Sequence, residues 1–287
     1  RSGIKSDHRS FAKTTGHKGR IDAMMVEATP SLSRQIEDLN ADPLTVNTES
    51  GILRFLVHRD GSGKMAEMNF EPHAREVAVE GRDTPQFITK MMPVELDASA
   101  TCPGFNAFIR RVQPDPEMRA FLQRWWGLSM TGLLTQKFVF QYGKGANGKS
   151  VLSELMGRMF GDYSASVKIE SLTGRNRRGG GDATPDLMQL PGARAVRASE
   201  PEEGERLQEA LIKALTGGEP ILARALHSDF IEFMPIFKLT ISGNHKPDIR
   251  GTDDGIWRRV LLVPFDVQIP EAERDDKLLD RLWASER

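Results

Sequence analysis

The stretch KFVFQYGKGANGKSVLSELMGRMF, residues 137–160, decides the fold of this chain. Its first six residues are rich in aromatic and β-branched side chains, which predicts a buried strand. Residues 151–160 have apolar side chains at helical spacing, which predicts a helix. Between them, GKGANGKS at residues 143–150 satisfies the whole eight-residue pattern of a phosphate-binding loop. An accidental glycine-rich turn would lack this strand–loop–helix context, so the pattern indicates a nucleotide-binding site.

The chemistry of the loop predicts which residues bind which part of a nucleotide. Its glycines let consecutive backbone N–H groups turn towards the phosphates, and the helix that follows adds its positive N-terminal end. Lys149 is expected to contact the β- and γ-phosphates, and Ser150 to bind Mg²⁺. ATP and Mg²⁺ are therefore the expected cofactors. The predicted nucleotide-binding residues are Gly143, Gly145, Ala146, Asn147, Gly148, Lys149, Ser150 and Val151.

Strand and helix signals alternate after the loop. Apolar runs predict strands at residues 194–198, 237–242 and 260–265, and residues 205–215 have helical spacing. This alternation predicts an α/β fold, with a P-loop ATPase core built on a mostly parallel sheet that is covered by helices. Arg197 interrupts the first of these strands, which indicates an exposed position or a salt bridge.

A smaller mixed α+β domain is predicted to precede the core. Residues 21–39 have helical spacing, and residues 44–46 and 52–57 have the composition of a hairpin. This domain is a candidate oligomerisation collar. The chain has no initiating methionine and stops directly after a helical pattern, so we expect it to be cut at both ends. The predicted domains are a flexible arm at residues 1–20, the small domain at 21–120 and the ATPase domain, truncated at its C-terminus, at 121–287.

Two adjacent tryptophans lie in a further predicted helix, at residues 117–128. Exposed tryptophans could stack on nucleic-acid bases. Trp125 and Trp126, however, lie among other apolar residues at helical spacing, which favours a place in the core.

Composition restricts the classes of function. The 39 basic residues nearly cancel the 40 acidic ones, so any contact with nucleic acid must come from a local patch rather than from the net charge. The single cysteine, Cys102, excludes an intramolecular disulfide, and the histidines have no zinc-ligand spacing. No apolar run is long enough to cross a bilayer. We therefore expect a cytoplasmic protein without a membrane partner, in a bacterium or a phage-infected host.

Polar residues next to the later strands are candidates for hydrolysis. Glu200 follows one strand, where a carboxylate could bind Mg²⁺ or orient water, although an acidic helix start is an equal alternative. Asn244 follows the next strand and could contact the γ-phosphate, although asparagine is common in turns. Arg258 and Arg259 precede the last strand, where one could act as an arginine finger, unless they are a surface pair.

The order of these segments resembles the phage and plasmid primase-helicase family within the superfamily 3 helicases. The resemblance rests on GKGANGKS, RAVRASEPEEG, KALTGGEPILARALHSDFIEF, FKLTISGNHKP and DGIWRRVLLVPF, and it extends from about residue 100 to the end. It implies an AAA-like ATPase that assembles as a ring, usually a hexamer, and moves along single-stranded or forked DNA. A primase domain or protein is a further partner that it implies.

The resemblance also implies roles for individual residues. Glu200 occupies the Walker B position and would hold Mg²⁺ together with Ser150, although Ser199 stands where many ATPases have a second acid. Asn244 occupies the sensor position, and Arg258 or Arg259 that of the finger. Within residues 213–233 the family has a DNA-contacting hairpin. The implied DNA-binding residues are Lys213, Arg224 and His227.

The sequence therefore predicts an ATP-dependent DNA helicase or translocase of a phage, plasmid or mobile element. A ring-forming AAA-like ATPase that loads or remodels a protein partner is the closest alternative. A monomeric small-molecule phosphotransferase and a nucleotide-bound recruitment module are more distant ones. Translocation polarity, ring size and nucleotide preference are not encoded in these patterns.

Overall fold

The fold is known from a computed structural model. It describes residues 18–32, 38–60, 63–73, 87–173, 183–199, 201, 204–226, 228–247, 249 and 254–286. In chain order, the strands are β1 (Thr45–Asn47), β2 (Gly51–Asp60), β3 (Gly63–Pro72), β4 (Phe138–Tyr142), β5 (Ser164–Ser166), β6 (Ala195–Ser199), β7 (Ile221–Arg224), β8 (Phe230–Phe233), β9 (Lys238–Gly243) and β10 (Val260–Pro264). The α-helices are α1 (Lys18–Leu32), α2 (Pro103–Val112), α3 (Pro116–Ser129), α4 (Lys149–Phe160), α5 (Ile169–Leu172), α6 (Glu209–Gly217), α7 (Asp254–Trp257) and α8 (Leu278–Glu286).

A five-stranded sheet forms the centre of the fold. Its strand order is β10-β4-β9-β6-β5, and every neighbouring pair is parallel. The strand that precedes the phosphate-binding loop, β4, therefore lies between β10 and β9. This arrangement confirms the predicted α/β fold with a parallel sheet. Among the described residues, every helix is too short or too polar to span a bilayer.

The two faces of the sheet carry two separate apolar cores. Because successive residues of a strand point to opposite faces, Val139 packs on the side of α4 whereas Phe138 and Phe140 pack on the other. Trp125 and Trp126 are buried on the α4 side, and the Trp125 Nε1–H donates to the Thr240 hydroxyl at 2.9 Å. The predicted place of both tryptophans in the core is confirmed.

Helix α3 begins and ends where its local sequence requires. Asp115 caps it by accepting a hydrogen bond from the backbone N–H of Glu117, and Pro116 occupies the first turn, where its missing N–H has no cost. The predicted domain boundary at residue 120 falls inside this helix. The division into two domains stays a prediction.

The N-terminal part of the chain forms a three-stranded antiparallel sheet in the order β1-β2-β3. The predicted hairpin is therefore confirmed. Residues 1–17 of the predicted arm lie outside the described residues. This sheet contacts the central core, since the backbone N–H of Asn47 donates to the Tyr163 hydroxyl at 3.1 Å and that of Gly132 donates to the Pro43 carbonyl at 2.6 Å.

Two predicted helix boundaries were wrong. Helix α6 begins at Glu209 instead of 205, because Leu207 forms an antiparallel bridge with Thr173 and the Glu205 carboxylate accepts a hydrogen bond from the Thr173 hydroxyl. The N-terminal helix does not reach residue 39, since Leu39 pairs with Phe87 instead. In both cases contacts distant in sequence override the local helical spacing.

Two buried cations lie at the amino edge of the sheet. Arg194 is 2% exposed and Lys238 is 1% exposed. The guanidinium of Arg194 donates to the Met130 and Asp42 carbonyls and lies 4.7 Å from the centre of the Tyr163 ring. The ammonium of Lys238 donates to backbone carbonyls, including that of Thr131. Burial, with the nearby Arg194 as a second cause, lowers the pKa of Lys238 to about 7.

We expect Lys238→Met to stabilise the protein near neutral pH. The folded-state pKa of Lys238 lies below its ordinary value of 10.5, so the unfolded chain binds more protons between about pH 7 and pH 10.5. Stability of the wild type should therefore rise with pH across this window, and the variant should lose that rise. Removing the buried charge should raise the free energy of unfolding at pH 7 by about 1–3 kcal/mol.

Urea unfolding of the wild type and the variant at pH 7 and pH 9.5 measures this effect. Lys168→Met, at an exposed lysine, is the matched control and should change neither the stability nor its pH dependence appreciably. An identical pH slope in the wild type and Lys238→Met would contradict the assignment.

Candidate nucleotide-binding site

The glycine-rich loop leaves the carboxyl end of β4 and leads directly into α4. Its backbone requires unusual geometry, with φ of 150° at Gly143, 58° at Ala146 and 83° at Gly148. A Cβ on Gly143 would lie 2.2 Å from the Phe265 carbonyl oxygen, and one on Gly148 would lie 2.6 Å from Val112. Glycine is therefore required at both positions, for space as well as for conformation.

Five consecutive backbone N–H groups of the loop, at residues 144–148, donate no hydrogen bond within the described parts of the chain. Lys144, Gly145 and Ala146 are exposed, whereas Asn147 is buried and Gly148 is partly buried, where N–H groups are normally paired in folded proteins. Asn147 is 3% exposed, and the backbone at the start of α4 adds the positive end of the helix dipole. A row of unpaired donors at a helix N-terminus is a site for phosphate groups.

The side chain of Lys149 lies within this loop. It is 6% exposed, and its ammonium donates to the Gly143 carbonyl at 2.6 Å and to Asn147 Oδ1 at 3.0 Å. The Asn147 amide in turn donates to the Phe265 carbonyl at 3.0 Å, and the backbone N–H of Ile269 donates to the Ala146 carbonyl at 2.7 Å. Residues 265–269, which follow β10, thus hold the loop in place through hydrogen bonds. The sequence analysis did not predict these contacts.

A cavity of about 1040 Å³ borders the loop. Ala146 and Gly148 of the loop and Ser150 of α4 line it, and so do α2 and the segment at residues 269–286. Its volume is sufficient for a nucleotide. Ser150 is exposed, so its hydroxyl is accessible to a ligand in this cavity. These residues fit a triphosphate bound with Mg²⁺.

The strand next to β4 places the predicted sensor beside the loop. Gly243 of β9 pairs with Tyr142, the last residue before the loop, and the exposed Asn244 follows directly. On the other side of β9, Ser199 ends β6 opposite Ser242 and also lines the cavity. The predicted acid, Glu200, lies outside the described residues.

The two candidate finger arginines are not brought to the loop of their own chain. They precede Val260, which pairs with Phe138 at the start of β4, whereas the loop follows the end of that strand. The sheet therefore separates them from the loop by roughly 20 Å. Arg258 is exposed, whereas Arg259 is 8% exposed and donates to the Gly255 carbonyl at 2.6 Å.

Strands β7 and β8 form a hairpin within residues 213–233, and its contact with DNA stays a prediction. Arg224 pairs with Phe230 across the two strands, and its guanidinium lies 4.7 Å from the centre of the exposed phenyl ring. Sequence reasoning missed Phe230, although an aromatic residue near a basic one is a feature that could have indicated it. His227 lies outside the described residues. Lys213 belongs to α6, outside the hairpin, and its DNA-binding role stays a prediction.

Comparisons with known proteins agree with this architecture. Residues 3–114 match the family model "D5 N terminal like", and residues 141–259 match a family of unknown function, DUF5906. The chain is 35% identical over 174 residues to "Putative helicase L207/L206" of Acanthamoeba polyphaga mimivirus, which covers 60% of this chain and 18% of the relative. It is 33% identical over 165 residues to "Putative helicase 022R" of Frog virus 3, which covers 56% and 17%. Over these segments the chain is similar to the D5-type family model and to viral proteins named as putative helicases.

A solved structure also has a similar fold. The C-terminal region of NrS-1 superposes with a TM-score of 0.50 over 64% of this chain and 43% of that one. At 13% identity this likeness concerns the fold alone. The chain spans about a fifth of the length of its viral relatives, in which the matched part is 18% and 17%.

Proposed function

We propose that this chain is the ATP-hydrolysing core of a superfamily 3 DNA helicase or translocase that acts in replication. The row of unpaired N–H groups around the buried Lys149 carries this proposal, because it provides hydrogen-bond donors and positive charge at one point of the fold. The relatives named as helicases support DNA as the partner. A phage, plasmid or virus-like mobile element is the proposed source, and its replication the process.

Each residue of the site has a proposed role. The loop N–H groups and Lys149 bind the phosphates, and Lys149 stabilises the charge that develops on the γ-phosphate. Ser150 and Glu200 would hold Mg²⁺, which when bound would neutralise negative charge on the phosphates. Asn244 lies at the same edge of the sheet and orients the attacking water or contacts the γ-phosphate.

Hydrolysis is proposed to occur between two subunits. Arg258 is exposed and lies roughly 20 Å from the loop of its own chain, which supports a role at the loop of a neighbour. Such a head-to-tail contact closes into a ring when the rotation between neighbouring subunits is a whole fraction of a full turn. A hexamer is the proposed form. The Arg259 guanidinium donates a hydrogen bond to the Gly255 carbonyl, which favours Arg258 as the finger.

We expect single-stranded DNA to stimulate ATP hydrolysis by about tenfold, and this stimulation to depend on the β7–β8 hairpin. The hairpin offers Arg224 for phosphates and Phe230 for base stacking, and such stacking is worth about 1–3 kcal/mol per base. The double variant Arg224→Ala/His227→Ala should keep its DNA-independent rate and lose most of the stimulation.

The test compares steady-state ATP hydrolysis with and without single-stranded DNA, together with light scattering of the assembly. Arg206→Ala, at an exposed arginine on an ion pair outside the hairpin, serves as the matched control and should retain stimulation. A wild type that hydrolyses ATP indifferently to DNA would refute the helicase assignment.

One observation supports a second candidate, a ring ATPase that loads or remodels a protein. One face of the hairpin exposes Leu222 and Phe230 at 61% and 44% and also carries Glu232, and Leu226, in the turn after β7, is 66% exposed. An apolar face with an acidic residue suits a protein surface as well as DNA. Stimulation by a replication protein but not by DNA would favour this candidate.

A further inference from the structure

We propose that Arg197 is a positioning residue that fixes the end of β6 against the phosphate-binding helix α4 and thereby sets the turnover rate. This inference rests on the proposed ATPase function. Arg197 is the charged residue of β6, whose other residues are small or apolar. It lies outside the phosphate-binding loop.

The side chain of Arg197 spans from the strand to the helix. Its Nη1 donates to Glu154 Oε2 at 2.9 Å and to the Ser153 carbonyl at 2.9 Å, and both acceptors belong to α4. The arginine side chain is 16% exposed, so the ion pair is only partly screened by water. The predicted salt bridge at this strand position is confirmed.

A glycine in α4 makes room for the guanidinium. A Cβ on Gly157 would lie 2.3 Å from Arg197 Cζ and from one of its nitrogens. Glycine is otherwise unfavourable inside a helix. Its presence here allows Arg197 to lie directly against the helix backbone, at the turn that follows Glu154.

The ion pair connects the two halves of the proposed catalytic pocket. Glu154 is one helical turn from Ser150, and Arg197 is two residues before Ser199, on the same face of β6. All four side chains line one cavity. The ion pair therefore fixes the distance between the Ser150 hydroxyl, at the start of α4, and the end of β6. The proposed acid, Glu200, follows β6 in the sequence.

A small displacement between these halves should reduce turnover more than binding. The nucleotide is held mainly by the loop, which the ion pair does not contact. Hydrolysis also requires the strand end to be placed relative to Ser150, and a misplacement of about 1 Å can reduce a rate by about a hundredfold.

Two variants test the proposal without relying on one another. Arg197→Met removes the ion pair, and we expect kcat to fall by about tenfold to a hundredfold while KM for ATP stays within about twofold. Arg197→Lys should recover part of the rate. Gly157→Ala removes no charge but displaces the guanidinium, and it should lower kcat similarly although alanine favours the helix.

Arg54→Met is the matched control, because Arg54 forms a comparable ion pair with Glu71 at 3.0 Å in the N-terminal sheet. Its kcat and KM should equal those of the wild type. Melting temperatures accompany the kinetics, and Gly157→Ala should melt no lower than the wild type. The inference is overturned if both Arg197→Met and Gly157→Ala have the wild-type kcat. It is also overturned if kcat of Gly157→Ala falls only together with its melting temperature. A wild type without turnover refutes the proposed function itself.

Discussion

Lys149→Ala is expected to lower ATP hydrolysis by about a hundredfold to a thousandfold and to weaken nucleotide binding. Removal of one preorganised donor to a developing negative charge commonly has an effect of this size. Lys149 is such a donor, since its ammonium is held inside the loop by the Gly143 carbonyl and Asn147 Oδ1. The variant loses the charge but retains the backbone N–H groups, so residual phosphate binding should remain.

Steady-state hydrolysis and fluorescence titration with an ATP analogue measure these two effects separately. Lys168→Ala, which removes an exposed lysine elsewhere, should behave as the wild type. Circular dichroism of Lys149→Ala is needed because Asn147 Oδ1 loses a donor. A folded Lys149→Ala that hydrolyses ATP at the wild-type rate would show that this loop is not the catalytic site.

Arg258→Ala should lower hydrolysis by about a thousandfold and leave nucleotide binding nearly intact. Arginine fingers contribute about this much to phosphoryl transfer, and they act on the transition state. The exposed Arg258 lies at the opposite end of the sheet from its own loop, so the loss should arise at a neighbour's site. Arg259→Ala should instead reduce stability, because its guanidinium is buried against the Gly255 carbonyl.

Mixing two inactive variants distinguishes a shared site from a site within one chain. Arg258→Ala subunits have an intact loop, and Lys149→Ala subunits have an intact finger. In randomly mixed rings about a quarter of the interfaces combine the two intact halves, so the mixture should recover up to about a quarter of the wild-type rate. No recovery in mixed assemblies, or full turnover by a solitary wild-type chain, would refute the split site.

The glycine-rich loop between β4 and α4 could be predicted from the sequence because its requirements are local. Eight consecutive residues supply the glycines, the lysine and the serine, and the flanking strand and helix have their own short-range patterns. The parallel sheet could be predicted for the same reason, from alternation alone. The helix boundary at residue 205 could not, since Leu207 is drawn into a bridge with Thr173, more than thirty residues away.

The candidate site likewise contains residues that the sequence could place and residues that only the structure distinguishes. Asn244 was predicted as a sensor from its place after a strand; the structure brings it next to the loop, and its role stays a prediction. The sequence could not distinguish Arg258 from Arg259 as the candidate finger, because the two arginines are adjacent. Their different exposure separates them, and it depends on the turn formed by α7.

The sequence by itself determined the class of the fold and the strand–loop–helix arrangement around the glycine-rich loop, because each rests on short contiguous patterns. Only the tertiary structure decided what supports the loop, since Phe265 lies 118 residues beyond Asn147, and which cations are buried at the sheet edge. It also decided that Arg197 meets Glu154. Hydrogen-bond and ion-pair partners depend on which strands and helices become neighbours, and that choice is made by packing of the whole core rather than by any one segment.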